Sequence, residues 1–96
     1  MLTMLDKLVS RLDRWLKDRR VRIIKHTLSA CGSDVSIDLP ATIRGPDHVR
    51  IGSHVSINSF VHIWGQGGLV IGDDTLIASH TSITTLTHDP LAALFR

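Results

Sequence analysis

Six histidines, one cysteine and an Asp-Asp pair are the groups in this 96-residue chain best suited to moving protons or holding a metal. Imidazole titrates near neutrality and binds metals through either ring nitrogen. A shared zinc needs its nitrogen ligands within about 2 Å of one point. The histidine intervals 48/54, 54/62 and 80/88 offer no closely spaced pair. His48 and His88 occupy equivalent places two 20-residue repeats apart, a separation of about 10 Å at ordinary strand spacing. No metal is therefore expected, and His54, His62 and His80 are expected to face solvent or a subunit contact. Asp73-Asp74 reads as corner chemistry. Cys31 is expected to be a buried structural thiol; a lone cysteine argues against a disulfide framework and for a reducing compartment. Asn58 can both donate and accept through its amide, and Trp64, directly after an inward isoleucine, should point outward.

The elements that must position these groups are written in a repeat. Three stretches superimpose at a 20-residue spacing, beginning at Cys31, Ile51 and Ile71, each followed by glycine (Gly32, Gly52, Gly72). Six residues on come Ile37, Ile57 and Ile77, and six further Ile43, Ile63 and Ile83. A period of six is neither the 3.6 of a helix nor the 2 of a strand. It describes a chain that runs straight, turns a corner and repeats, with isoleucine columns burying one another between stacked coils. The small residues Val35, Val55, Thr75 and Ala41, Val61, Thr81 fill the places between. Gly32, Gly52 and Gly72 are expected at corners that need unusual backbone angles. Gly45-Pro46-Asp47-His48 and Gly65-Gln66-Gly67-Gly68 read as loops at one corner.

Charge divides the chain. Residues 1–26 hold eight Lys/Arg against three Asp, and residues 27–96 three Arg against six Asp. The basic stretch reads as an amphipathic helix with Leu5, Leu8, Leu12, Trp15 and Leu16 on one face. Its end is blurred, because Val21, Ile23 and Ile24 could begin an extended segment. The helix is expected to cap the open end of the first coil; the alternatives are an anionic membrane surface or a partner helix. Nucleic acid is not expected, since the helix lacks interleaved aromatics and the remainder is acidic. No run approaches the ~20 apolar residues of a membrane span.

Residues 51–63, IGSHVSINSFVHI, and 71–90, IGDDTLIASHTSITTLTHDP, resemble the hexapeptide-repeat acyltransferases. The likeness is greatest to the maltose and galactoside O-acetyltransferases and to sugar O-acetyltransferases of surface-polysaccharide pathways. It covers about residues 29–90. It implies a mainly β fold, a left-handed parallel β-helix of three 20-residue coils behind an N-terminal amphipathic α-helix. The expected division is 1–28 helix and cap, 29–90 hexapeptide repeats, and 91–96 the start of a loop or tail. It also implies a homotrimer that moves acetyl from acetyl-CoA, as co-substrate, to a sugar hydroxyl. His88 matches the family's catalytic histidine and would be the general base, and Asn58 matches the asparagine lining the acceptor pocket. Trp64 would line the trimer interface or stack on the sugar. The expected location is cytoplasmic, or peripheral at the inner membrane.

Members of that family continue past the loop after the histidine into further coils, which supply an oxyanion donor and the CoA groove. This chain stops at 91–96, within that loop, and so is expected to be an N-terminal part of such an enzyme. The alternative from another class is a non-catalytic trimeric β-helical module. Acetyl-CoA binding separates the two.

Overall fold

The computed structural model describes residues 3–85. Its first element, α1, spans Met4–Thr27. Thr3 starts it as N-cap: its hydroxyl accepts from the Asp6 N–H at 3.1 Å, and the Asp6 carboxylate accepts from the Thr3 N–H at 3.1 Å. Two otherwise unpaired donors of the first turn are thereby satisfied. The Thr3 backbone N–H, and then its hydroxyl, hold the Asp6 pKa below the ordinary carboxylate value. Val21, Ile23 and Ile24 lie inside the helix rather than in an extended segment. Helical spacing turns Val21 and Ile24 onto the core and leaves Ile23 54% exposed. The helix stops where Leu28 takes extended angles and buries its side chain.

Nine strands follow among the described residues: β1 Ala30–Cys31, β2 Ser36–Ile37, β3 Thr42–Arg44, β4 Val49–Ile51, β5 Ser56–Ile57, β6 His62–Trp64, β7 Leu69–Ile71, β8 Leu76–Ile77 and β9 Ser82–Thr84. They form three parallel sheets, β1-β4-β7, β2-β5-β8 and β3-β6-β9. The chain visits each sheet once per 20 residues, so Cys31 pairs with Ile51 and Ile51 with Ile71. Ile37, Ile57 and Ile77 align in the second sheet, and Ile43, Ile63 and Ile83 in the third.

These elements correct the fold-class expectation. The chain is not a mainly β, left-handed β-helix. Among the described residues it is a mixture of one long helix and three small parallel sheets, with no closed barrel. Among the described residues no strand exceeds three residues, against 24 in α1. Corners take up most of each 20-residue row, and a six-residue period does not reveal how much of it is ladder and how much is turn.

Burial follows the stacking. In the middle row Val49, Val55, Ile57, Val61 and Ile63 have no exposed surface. Each has a row on either side, so parallel pairing covers it twice. In the first and last rows the equivalent residues keep a little exposure: Ile37 6%, Ile71 6% and Ile77 7%. Cys31 is half-buried, not buried as expected, because only one strand pairs with β1. At the last row threonines replace valines, and Thr75 and Thr81 donate their hydroxyls to the Gly72 and Ala78 carbonyls at 2.7 Å.

The glycine expectation is also corrected. Gly32, Gly52 and Gly72 do not take left-handed backbone angles; Asp34, His54 and Asp74 do, at φ 56°, 58° and 57°. Gly32 and Gly52 are needed because the next row passes close. A Cβ on Gly52 would collide with the Asp73 carboxylate and lie 2.9 Å from the Asp73 nitrogen. In the expected loops Gly45 and Gly68 do take positive φ, at 63° and 94°. Between them in sequence, Pro46–His48 form a short 3-10 turn.

Candidate functional site

Asn58 follows β5 at the corner leading from the second sheet to the third. Its N–H donates to the Ile77 carbonyl at 3.0 Å, which fixes the residue in register with Ala78 below and leaves its side chain half-buried. Two residues on, Phe60 sits in the left-handed region at φ 63°, and His80 repeats this one row later at φ 66°. The two rings stack with centroids 5.2 Å apart and planes 3° from parallel. Both are exposed. An amide two residues from a flat aromatic surface suits a polyhydroxylated ligand: the amide can pair with hydroxyls, and the rings can cover C–H faces. Phe60 was not singled out from sequence. The signal was present, because 60 and 80 differ by one repeat and so must stand one above the other.

The preceding corner carries a different cluster. Asp34, His54 and Asp74 stack in one column in the left-handed conformation, a region where Asp and His are enriched. His54 Nδ1 lies 3.0 Å from Asp34 Oδ2. That hydrogen bond is the largest influence raising the His54 pKa above 6.5, with weaker attraction from the negative charges of Asp34, Asp74 and Asp73. Asp73 Oδ1 accepts from the Ser53 N–H at 2.7 Å. The Ser33 N–H donates to Ser53 Oγ at 3.1 Å. Side chains here therefore close the gaps between rows, as the corner reading of Asp73-Asp74 requires. Among the described residues, no three His, Cys, Asp or Glu side chains gather where a metal could be held.

Trp64 ends β6 on the outward side, with His62 and Trp64 exposed around a buried Ile63. The Arg44 guanidinium lies over its ring, 5.4 Å from the centroid. His62 pairs in register with Ser82, and His48 Nε2 lies 3.5 Å from the Asp47 carboxylate. His88 lies outside the described residues. Asn58 and Trp64 lie at different places around the row, one at the corner after the second sheet and the other at the end of the third.

Hollows also run along α1. One, of about 490 Å³, is lined by Lys17, Arg20, Ile23, Ile24, Leu39, Pro40 and Ala41. Another, more polar, reaches from Ser10 and Arg14 to Asp38 and Ser59, next to Asn58. Compared with known protein families, curated proteins and solved structures, the chain matches none.

Proposed function

We infer that this chain serves acyl-CoA-dependent O-acetyl transfer to a sugar hydroxyl. What supports the reading is the half-buried amide of Asn58 and the exposed ring pair of Phe60 and His80, carried by the same segments, 51–63 and 71–90, that resemble the sugar O-acetyltransferases. In the chemistry proposed, His88 accepts the proton of the sugar hydroxyl as its oxygen attacks the thioester carbonyl of acetyl-CoA. The tetrahedral oxyanion collapses, the carbon–sulfur bond breaks, and the CoA thiolate leaves and takes up the proton. Backbone N–H groups must face the oxyanion. Asn58 orients the acceptor through its hydroxyls. By count along the 20-residue repeat Asn58 is the eighth residue and His88 the eighteenth, so in this reading the base of one copy would meet the acceptor held by another, in a homotrimer. Trp64 and Arg44, exposed at the end of the third sheet, would line that contact.

The test is acetyl transfer from acetyl-CoA to a panel of sugars, measured with the unaltered chain and with His88→Ala. Transfer that falls by at least about a hundredfold in the variant supports the base role. Transfer that is unchanged removes His88 from the mechanism. A folded chain that transfers to no acceptor favours the non-catalytic interaction module.

A further inference from the structure

The apolar stripe of α1 is turned away from the protein. At about 100° per residue, Leu5, Leu8, Leu12, Trp15 and Leu16 fall within an arc of roughly 100°. Val21 and Ile24, which touch the core, lie about 170° and 130° around the helix from the middle of that arc. None of the helix is fully buried, and the five stripe residues are 69%, 54%, 55%, 50% and 40% exposed. The cap reading therefore holds only for the end of the helix that carries Val21 and Ile24. The first row cannot cover the stripe, because the helix meets it with its opposite side.

The charges around the stripe point to its occupant. Residues 1–26 carry eight basic against three acidic side chains. Arg11 and Arg22 border the stripe on one side and Arg20 on the other, by the same geometry. Arg19 lies over the Trp15 ring, 5.5 Å from its centroid. A second copy of the helix would bring two strongly positive segments face to face. An anionic surface is the complement. No helix among the described residues is long and apolar enough to cross a membrane, and a leucine and tryptophan stripe between cationic borders matches a helix lying in the lipid interface. Arginine and lysine stems can lie along the acyl boundary while their heads reach lipid phosphates.

We propose that α1 docks flat on an anionic phospholipid surface through Leu5, Leu8, Leu12, Trp15 and Leu16. The three sheets, on the other side of the helix, then stand off into water. The proposal is independent of the acetyl-transfer reading.

The experiment uses the full chain carrying Trp64→Phe, which leaves Trp15 as the sole tryptophan. It is mixed with vesicles of phosphatidylcholine alone, or of phosphatidylcholine with phosphatidylglycerol. The expected result is co-flotation and a blue-shifted Trp15 emission only with the anionic vesicles. Added salt weakens the binding. Each charge removed near an anionic surface weakens it about fivefold, so Arg11→Gln with Arg20→Gln costs more than tenfold. Leu8→Glu with Leu12→Glu abolishes binding and leaves the circular dichroism unchanged, because neither side chain contributes to the core. No binding to anionic vesicles, or equal binding to neutral ones, overturns the proposal. So does a Trp15 emission already blue-shifted without lipid, in step with a concentration-dependent mass, because a second copy would then own the stripe.

Discussion

Replacing Gly52 and Gly72 by alanine, one at a time, separates two reasons a repeat can demand glycine. The two residues hold equivalent places one row apart and pair through adjoining residues of β4 and β7. At Gly52 a new Cβ would collide with the Asp73 carboxylate and sit 2.9 Å from the Asp73 nitrogen and 3.1 Å from the Gly72 carbonyl carbon. The last two are backbone atoms, held by the Gly52 N–H to Ile71 carbonyl bond at 2.8 Å and by the Ser53 N–H to Asp73 bond. Rows must part locally by several tenths of an ångström, an overpacking cost of about 1–3 kcal/mol. At Gly72 a Cβ meets nothing within 4 Å among the described residues. There the loss of unfolded-chain freedom dominates, and alanine should stabilise by about 0.4–1 kcal/mol. Urea unfolding followed by circular dichroism should therefore place the two variants on opposite sides of the unaltered chain. At ~4–8 °C per kcal/mol for a domain of this size, the gap should exceed about 6 °C in thermal midpoint. Equal destabilisation of both would refute close approach and restore a shared backbone-angle requirement.

Three further outcomes follow from the same geometry. Ile57→Ala, at a site with no exposed surface, should cost about 3–5 kcal/mol, and Ile77→Ala in the last row, at 7% exposure, nearer 2, read by denaturant midpoint at constant slope. Asp34→Asn should return the His54 imidazole towards 6.5 in an NMR titration. Because the folded pKa of His54 lies above its unfolded value, the pair stabilises fully below the unfolded value. That contribution fades as pH rises through the folded value, so the stability gap between Asp34→Asn and the unaltered chain should close once pH has passed that value. Asn58→Ala and Phe60→Ala should each raise the acceptor KM about tenfold, the value of one or two lost hydrogen bonds or of a ring face, and leave acetyl-CoA binding unchanged.

The 20-residue register was legible because a column of isoleucine is a packing instruction: like residues a repeat apart cover one another. Which row would be most buried follows from that register too, since among the described residues only Ile57 and its neighbours have a row on both sides. The balance of fold class was not legible. Hexapeptide spacing counts residues between inward positions and is silent on how many of them pair, and the answer here is two or three per strand. The glycines misled for a related reason. Gly52 and Asp74 both lie at corners, and only coordinates show that the first needs space while the second takes the left-handed angle. The amphipathic pattern of α1 was plain, yet periodicity does not say which side meets the body; Val21 and Ile24, on the far side, decide it. Asn58 could be named from its resemblance, but the ring pair beside it required the register and the corner geometry together.

Isothermal titration of acetyl-CoA into the purified chain, with its mass followed by light scattering, bears most directly on the central claim. Saturable binding to a trimer, with an acceptor sugar then turned over, is the predicted result. A folded chain that takes up no acetyl-CoA at any concentration tested would contradict it.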